Sequence, residues 1–123
     1  MLAALLSRSR AATNAPYVPT VLQRSMIHKL VSYQVRKDVV PQALAAVRAF
    51  ADEVNRKEGG TAKYEAWQGK EDPTRFTHHM AFRTPSAEKY HQTTPWCKAF
   101  VAALHPLCVE QPVSFEVLPV MGE

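Results

Sequence analysis

The chain has 123 residues, 46% of them hydrophobic and 21% charged, with a formal net charge of +4. That length supports one domain with one core, and no apolar run reaches the roughly 18 residues that a membrane-spanning helix needs. Arg8, Arg10 and Arg24 fall in the first 25 residues, which hold no Asp or Glu, so the rest of the chain carries only +1 and offers no basic face for nucleic acid.

Residues 1–25, MLAALLSRSRAATNAPYVPTVLQRS, are read apart from the fold. Rich in Arg, Ser, Ala and Leu and free of acids, they have the composition of a mitochondrial transit peptide. A plain tail ahead of a start at Met26 fits them equally. The first reading implies a mitochondrial protein and the second a soluble cytoplasmic one. The domain is expected over residues 26–119, followed by a short tail at 120–123.

Ile27–Arg36 reads as a first strand, with Val31, Tyr33 and Val35 on one face. Lys37-Asp38 is a turn. Within Val39–Lys57, Val40, Leu44, Val47, Ala51 and Val54 recur at steps of four and three, the stripe of an amphipathic helix. Pro41 sits in its first turn, where a missing N–H costs little, and Gly59-Gly60 is expected to end it through a left-handed cap. Thr61–Gly69 reads as a second strand, with Tyr64 and Ala66 on one side and Lys63, Glu65 and Trp67 on the other. Glu71-Asp72-Pro73 then signals a turn into a third strand, Arg75–Arg83, making a hairpin. Alternation puts Phe76, His78, Met80 and Phe82 on one face of that strand and Thr77, His79 and Ala81 on the other. A helix from Ser86 aligns Ala87, Tyr90, His91 and Thr94 on one stripe. Pro95 interrupts it and opens another helix, with Trp96, Phe100, Ala103 or Leu104, and Leu107 inward and Pro106 at its end. Val113, Phe115 and Val117 alternate in a last strand that Pro119 closes.

This order predicts an α+β, ferredoxin-like β-α-β-β-α-β fold: one antiparallel four-stranded sheet with the helices on one face. The other face would show Trp67, Thr77, Ala81 and Leu118 among polar groups. Such a half-apolar surface predicts a homodimer through the open face, with His79 at the interface; His28 and His105 are assigned to the surface or the termini. Cys97 and Cys108, placed on one helix about 16 Å apart, exceed the Cα separation of about 7 Å that a disulfide tolerates. They read as free, buried or half-buried thiols in a reducing compartment.

If the stripe of the Ser86 helix packs on the Phe76/His78 face, two imidazoles, a phenol and aromatic rings enclose one small cavity. His91 and His78 are then the candidate catalytic bases. Tyr90 is the candidate to hold a substrate oxygen, and Phe76, Met80 and Phe82 are the candidate walls. His78 and His79 diverge as strand neighbours, His78 with His91 supplies only two ligands, and neither inner stripe carries an acid, so no metal site is expected. A Gly-rich phosphate loop and a Cys-x-x-Cys are both missing, so no cofactor is expected.

The segment GGTAKYEAWQGKEDPTRF, the strand HHMAF and the run AEKYHQTTP before a Phe-bearing helix resemble the antibiotic biosynthesis monooxygenase (ABM) domain family over residues 27–118. That family includes cofactor-free quinol monooxygenases and dimeric α/β barrels. The resemblance implies a cofactor-independent oxidation of a quinol, polyphenol or similar electron-rich aromatic by O2, with His91 at the family's helix histidine. Met80 and Phe82 stand where the family usually has Glu and Trp, which keeps an aromatic wall but no indole N–H. His78 stands where some members have Asn. The alternative implied is a non-catalytic dimeric barrel that binds a small aromatic or serves in stress response or assembly.

Overall fold

A computed structural model describes residues 26–123, so both readings of residues 1–25 lie outside the described residues. The chain runs through β1 (Ile27–Val35), a 3₁₀ turn (Lys37–Val39), α1 (Val40–Lys57), β2 (Thr61–Gln68), β3 (Arg75–Phe82), α2 (Pro85–Thr93), α3 (Pro95–Leu104), a second 3₁₀ turn (His105–Leu107) and β4 (Cys108–Val117). The strands form one antiparallel sheet in the order β2-β3-β1-β4, the ferredoxin-like α+β arrangement expected from the element order.

Register decides which side chains meet the helices. Val31 lies opposite His78 and His78 opposite Ala66, while Lys29 lies opposite Met80 and Met80 opposite Tyr64. Side chains paired across strands share a face, so Tyr33, Phe76, His78, Met80, Phe82 and Tyr64 all point toward the helices. They form two packed clusters. One joins Tyr33, Val35 and Phe76 to Val39, Ala43 and Leu104, and the other joins Tyr64, Met80 and Phe82 to Phe50 and Val54. The buried line on α1 is Ala43, Val47, Phe50 and Val54. Phe50, absent from the expected stripe, is central to it and stacks on Phe100 with ring centroids 4.5 Å apart. Ala66 shares the helix side with Tyr64 but stays exposed, because β2 is an edge strand.

Two local expectations are corrected, and the facing of β4 is fixed. Gly59 and Gly60 do not form a left-handed cap; among the glycines only Gly122 has a positive φ. A Cβ at Gly60 would lie 2.6 Å from the Ala87 Cβ on α2, so close packing explains that glycine, whereas Gly59 faces open space. Cys108 does not share a helix with Cys97: the His105–Leu107 turn separates them, Cys108 opens β4, and both thiols are free and half-buried. Finally, β4 pairs Ser32 with Val113, Leu30 with Phe115 and His28 with Val117. That register turns its apolar residues to the face away from the helices.

The open face thus carries Trp67, Val113 and Phe115, each more than half exposed. At its other end Ala81 is buried. His28, expected at the surface, is half-buried; its Nδ1 lies 3.1 Å from His79 Nε2 and its Nε2 lies 2.9 Å from the Glu123 carboxylate, which brings the C-terminal residues back to the sheet. Gly60→Ala is expected to cost about 1–3 kcal/mol by overpacking against α2, while Gly59→Ala changes stability by less than about 0.5 kcal/mol; urea unfolding of the two variants checks both.

Candidate functional site

Between the sheet and the helices lies a cavity of about 190 Å³. The strands contribute Val31, Tyr33, Tyr64, His78, Met80 and Phe82 to its wall, α1 contributes Phe50, and α2 and α3 contribute His91, Cys97, Phe100 and Leu104. Exposed Gln92, Val101 and His105 line its mouth. A Lys29–Glu88 ion pair of 3.1 Å also borders it, joining β1 to α2.

His78 enters this wall because β3 alternates. It is fully buried, and burial lowers its pKa to about 4, so it is neutral near pH 7. Its Nε2 lies 2.7 Å from the Tyr33 hydroxyl and its Nδ1 2.6 Å from the Tyr64 hydroxyl. Burial, before any neighbouring charge, raises the pKa of both phenols, which keeps them protonated. A neutral imidazole offers one N–H and one lone pair. One tyrosine therefore donates to His78 and the other accepts from it.

His91 is placed by different means. Thr84 caps α2, its side chain accepting from the Ala87 N–H, and Thr94 caps α3 by accepting from the Cys97 N–H. Between these caps, His91 turns inward and puts Nδ1 2.8 Å from Glu58 Oε1. The Glu58 side chain is 1% exposed. It also accepts from Thr61 Oγ1 at 2.7 Å and from the Trp96 indole Nε1–H at 2.6 Å. A carboxylate with three such neighbours can only accept, so the His91 contact is an Nδ1–H donation. When the ring is neutral, that donation fixes the tautomer and leaves the lone pair on Nε2, which has no partner among the described residues, the arrangement by which a carboxylate orients an imidazole.

The structure brings together four of the expected site residues: His78, His91, Met80 and Phe82. It separates the other two. Phe76 packs in the first core cluster, stacked on Tyr33 with centroids 5.4 Å apart, outside the cavity wall. Tyr90 is 53% exposed. It precedes the inward His91 by one residue, about 100° of helix rotation, so a nine-residue helix that faces Ala87 and His91 to the sheet turns Tyr90 to solvent. The stripe drawn from the sequence was too wide by one residue.

Sequence reasoning missed Glu58, Tyr33, Tyr64 and Phe50 as parts of the site. Glu58 lies one residue beyond α1 and so outside any stripe; the available signal was an acid set between a helix end and a Gly-Gly pair. His105, assigned to the surface, reaches the mouth. Among the described residues, no group of three or more His, Cys, Asp or Glu side chains is placed to hold a metal ion, and no helix is long and apolar enough to cross a membrane.

The depressed pKa of His78 sets a pH dependence. Its ordinary value is 6.5, so between about pH 6.5 and pH 4 the unfolded chain holds a proton that the folded chain does not. Stability then rises with pH across that window, and acidification through it costs about 3 kcal/mol from this group. Urea unfolding at a series of pH values should show this slope in the wild type and lose that share of it in His78→Gln.

Residues 26–103 match the family model for antibiotic biosynthesis monooxygenase. No curated protein sequence matches the chain at a significant level. Solved structures named for the same family share the fold. One from Nitrosomonas europaea is 21% identical with a TM-score of 0.74, covering 80% of this chain and 93% of that one. One from Caulobacter crescentus is 21% identical with a TM-score of 0.73, over 80% and 92%. One from Bacteroides thetaiotaomicron is 17% identical with a TM-score of 0.75, again over 80% and 92%.

Proposed function

The chain belongs to the antibiotic biosynthesis monooxygenase family, and from that premise we propose that it is a cofactor-independent monooxygenase oxidising a small electron-rich aromatic, such as a quinol, with O2. The observation that carries this reading is the Glu58-tethered His91 on the wall of an apolar cavity. An engineered cavity of about 150 Å³ accepts benzene, so a volume of about 190 Å³ suits a single ring with small substituents.

In this mechanism the substrate hydroxyl gives its proton to His91 Nε2, while Nδ1–H stays on Glu58 and balances the imidazolium. The phenolate transfers one electron to O2. Superoxide and the substrate radical then combine into a ring-carbon peroxide, which takes the proton back from His91. Loss of water leaves a new carbonyl, so one oxygen atom stays in the product and the other leaves as water, with no outside reductant. Phe50, Phe82, Phe100 and Met80 keep water away from the radical pair. His78, with its low pKa, holds the two phenols in place rather than acting as the base.

A second reading is a non-catalytic barrel that binds a small aromatic. The apolar Met80 and Phe82 on the wall favour it. In either reading the protein works as a homodimer through the open sheet face, where Trp67, Val113 and Phe115 are exposed.

His91→Gln is expected to lower O2 consumption with a single-ring quinol by about 10²-fold or more. Its amide N–H preserves a donor for Glu58 and thus the fold. His91→Ala would instead strand the buried carboxylate and cost about 1–3 kcal/mol. An oxygen electrode reads the activity; a wild type that consumes no O2 with any of a panel of quinols favours the binding reading. Phe115→Glu is expected to shift sedimentation from dimer to monomer with unchanged far-UV circular dichroism.

A further inference from the structure

Tyr33, His78 and Tyr64 together hold one imidazole N–H and two phenol O–H groups, yet they make two hydrogen bonds with one another. Whichever tautomer His78 adopts, one phenol hydrogen is left over. Neither phenol has another hydrogen-bond partner among the described residues. Both are buried, at 3% and 6% exposure, and both line the cavity. On the helix side of the same cavity, the lone pair of His91 Nε2 is likewise uncommitted. Buried polar groups in folded proteins are nearly always paired. Apart from the Lys29–Glu88 pair, Cys97, Ser114 and the polar residues at the mouth, the cavity wall offers one spare phenol donor on its sheet side and one spare imidazole acceptor on its helix side.

We propose that the cavity selects a single-ring ligand whose hydroxyl is conjugated with a second oxygen, and that the spare phenol hydrogen of the Tyr33–His78–Tyr64 chain donates to that second oxygen. The inference rests on the site reading above and names its substrate class. The hydroxyl meets His91 Nε2 and surrenders its proton there. The resulting charge spreads through the ring onto the conjugated oxygen, where the phenol O–H receives it, as a fixed donor stabilises any developing oxyanion. Burial that keeps both phenols protonated keeps this donor available. His78 is a positioning residue, aiming both hydroxyls. A ring with a hydroxyl alone leaves the phenol hydrogen unmatched, and a ring with a carbonyl alone leaves His91 unmatched.

The test is anaerobic calorimetry on the full chain with 4-hydroxybenzaldehyde, phenol and benzaldehyde, joined to the ultraviolet spectrum of the bound aldehyde. The wild type should bind 4-hydroxybenzaldehyde at least about tenfold more tightly than either partial ligand, and the bound ligand should show the red-shifted phenolate band. At least one of Tyr33→Phe and Tyr64→Phe should bring the preference over phenol below about threefold, and His91→Gln should remove the phenolate band. Equal binding of phenol and 4-hydroxybenzaldehyde by the wild type, no binding of any of the three, or retention of the full preference in both tyrosine variants would overturn the proposal. If a variant fails to fold, the wild-type ligand set decides alone. Tight, selective binding without O2 uptake by any quinol would refute the oxygenase and leave this inference standing, whereas O2 uptake without the preference would do the reverse.

Discussion

The buried carboxylate of Glu58 is the point on which the rest of the site depends. Burying such a group is costly unless donors surround it, and here they come from three elements. Thr61 opens β2, His91 lies on α2 and Trp96 lies on α3. The Glu58 N–H itself closes α1 on the Val54 carbonyl. One side chain therefore joins the end of the long helix, the start of an edge strand and both short helices. Helices shorter than about 12–15 residues are marginal on their own, so α2 and α3, nine and ten residues long, take their positions from their threonine caps, from packing and from this cluster. Lys57, over the Trp96 ring at 5.1 Å, adds a further hold on the indole.

With the helices held this way, two histidines on facing walls acquire different chemistry from their surroundings. His78 has no carboxylate partner; it sits between two neutral phenols, and desolvation disfavours its charged form. His91 has a carboxylate behind it that balances positive charge as it develops. In the proposed mechanism that difference makes one histidine a strut and the other the base, since environment can assign different acid–base roles to like side chains. The same sheet has a second exposed surface on its far side, where β4 turns Val113 and Phe115 outward at one edge and β2 exposes Trp67 at the other. A face that apolar is the surface on which the proposed dimer rests.

Periodicity made the fold readable. Alternation in β3 placed Phe76, His78, Met80 and Phe82 on the helix side, and the stripe on α1 identified its inward face to within one residue. It was less informative where the backbone period stops. Glu58 lies past the end of α1, so no stripe includes it, although it has the most partners of any side chain in the site. Tyr90 and His91 are consecutive on a helix barely two and a half turns long, too short for a stripe to separate them. Cys108 follows a proline-containing turn whose direction only packing determines. Alternation in β4 was visible, but which of its two faces met the helices depended on register with β1. Tyr33 and Tyr64 could be placed only on one face of their strands, because a sequence gives no sign that two phenols from different strands converge on one imidazole.

The central claim is that Glu58 holds neutral His91 as its Nδ1–H tautomer, with an Nε2 lone pair free at the cavity. A long-range ¹H–¹⁵N correlation spectrum of the ¹⁵N-labelled protein, recorded where His91 is neutral, reads that tautomer directly. The account predicts a protonated Nδ1 and an unprotonated Nε2 for His91, with the pattern lost in Glu58→Leu. A protonated Nε2 in the wild type would contradict it, since the ring would then have no base to offer the cavity.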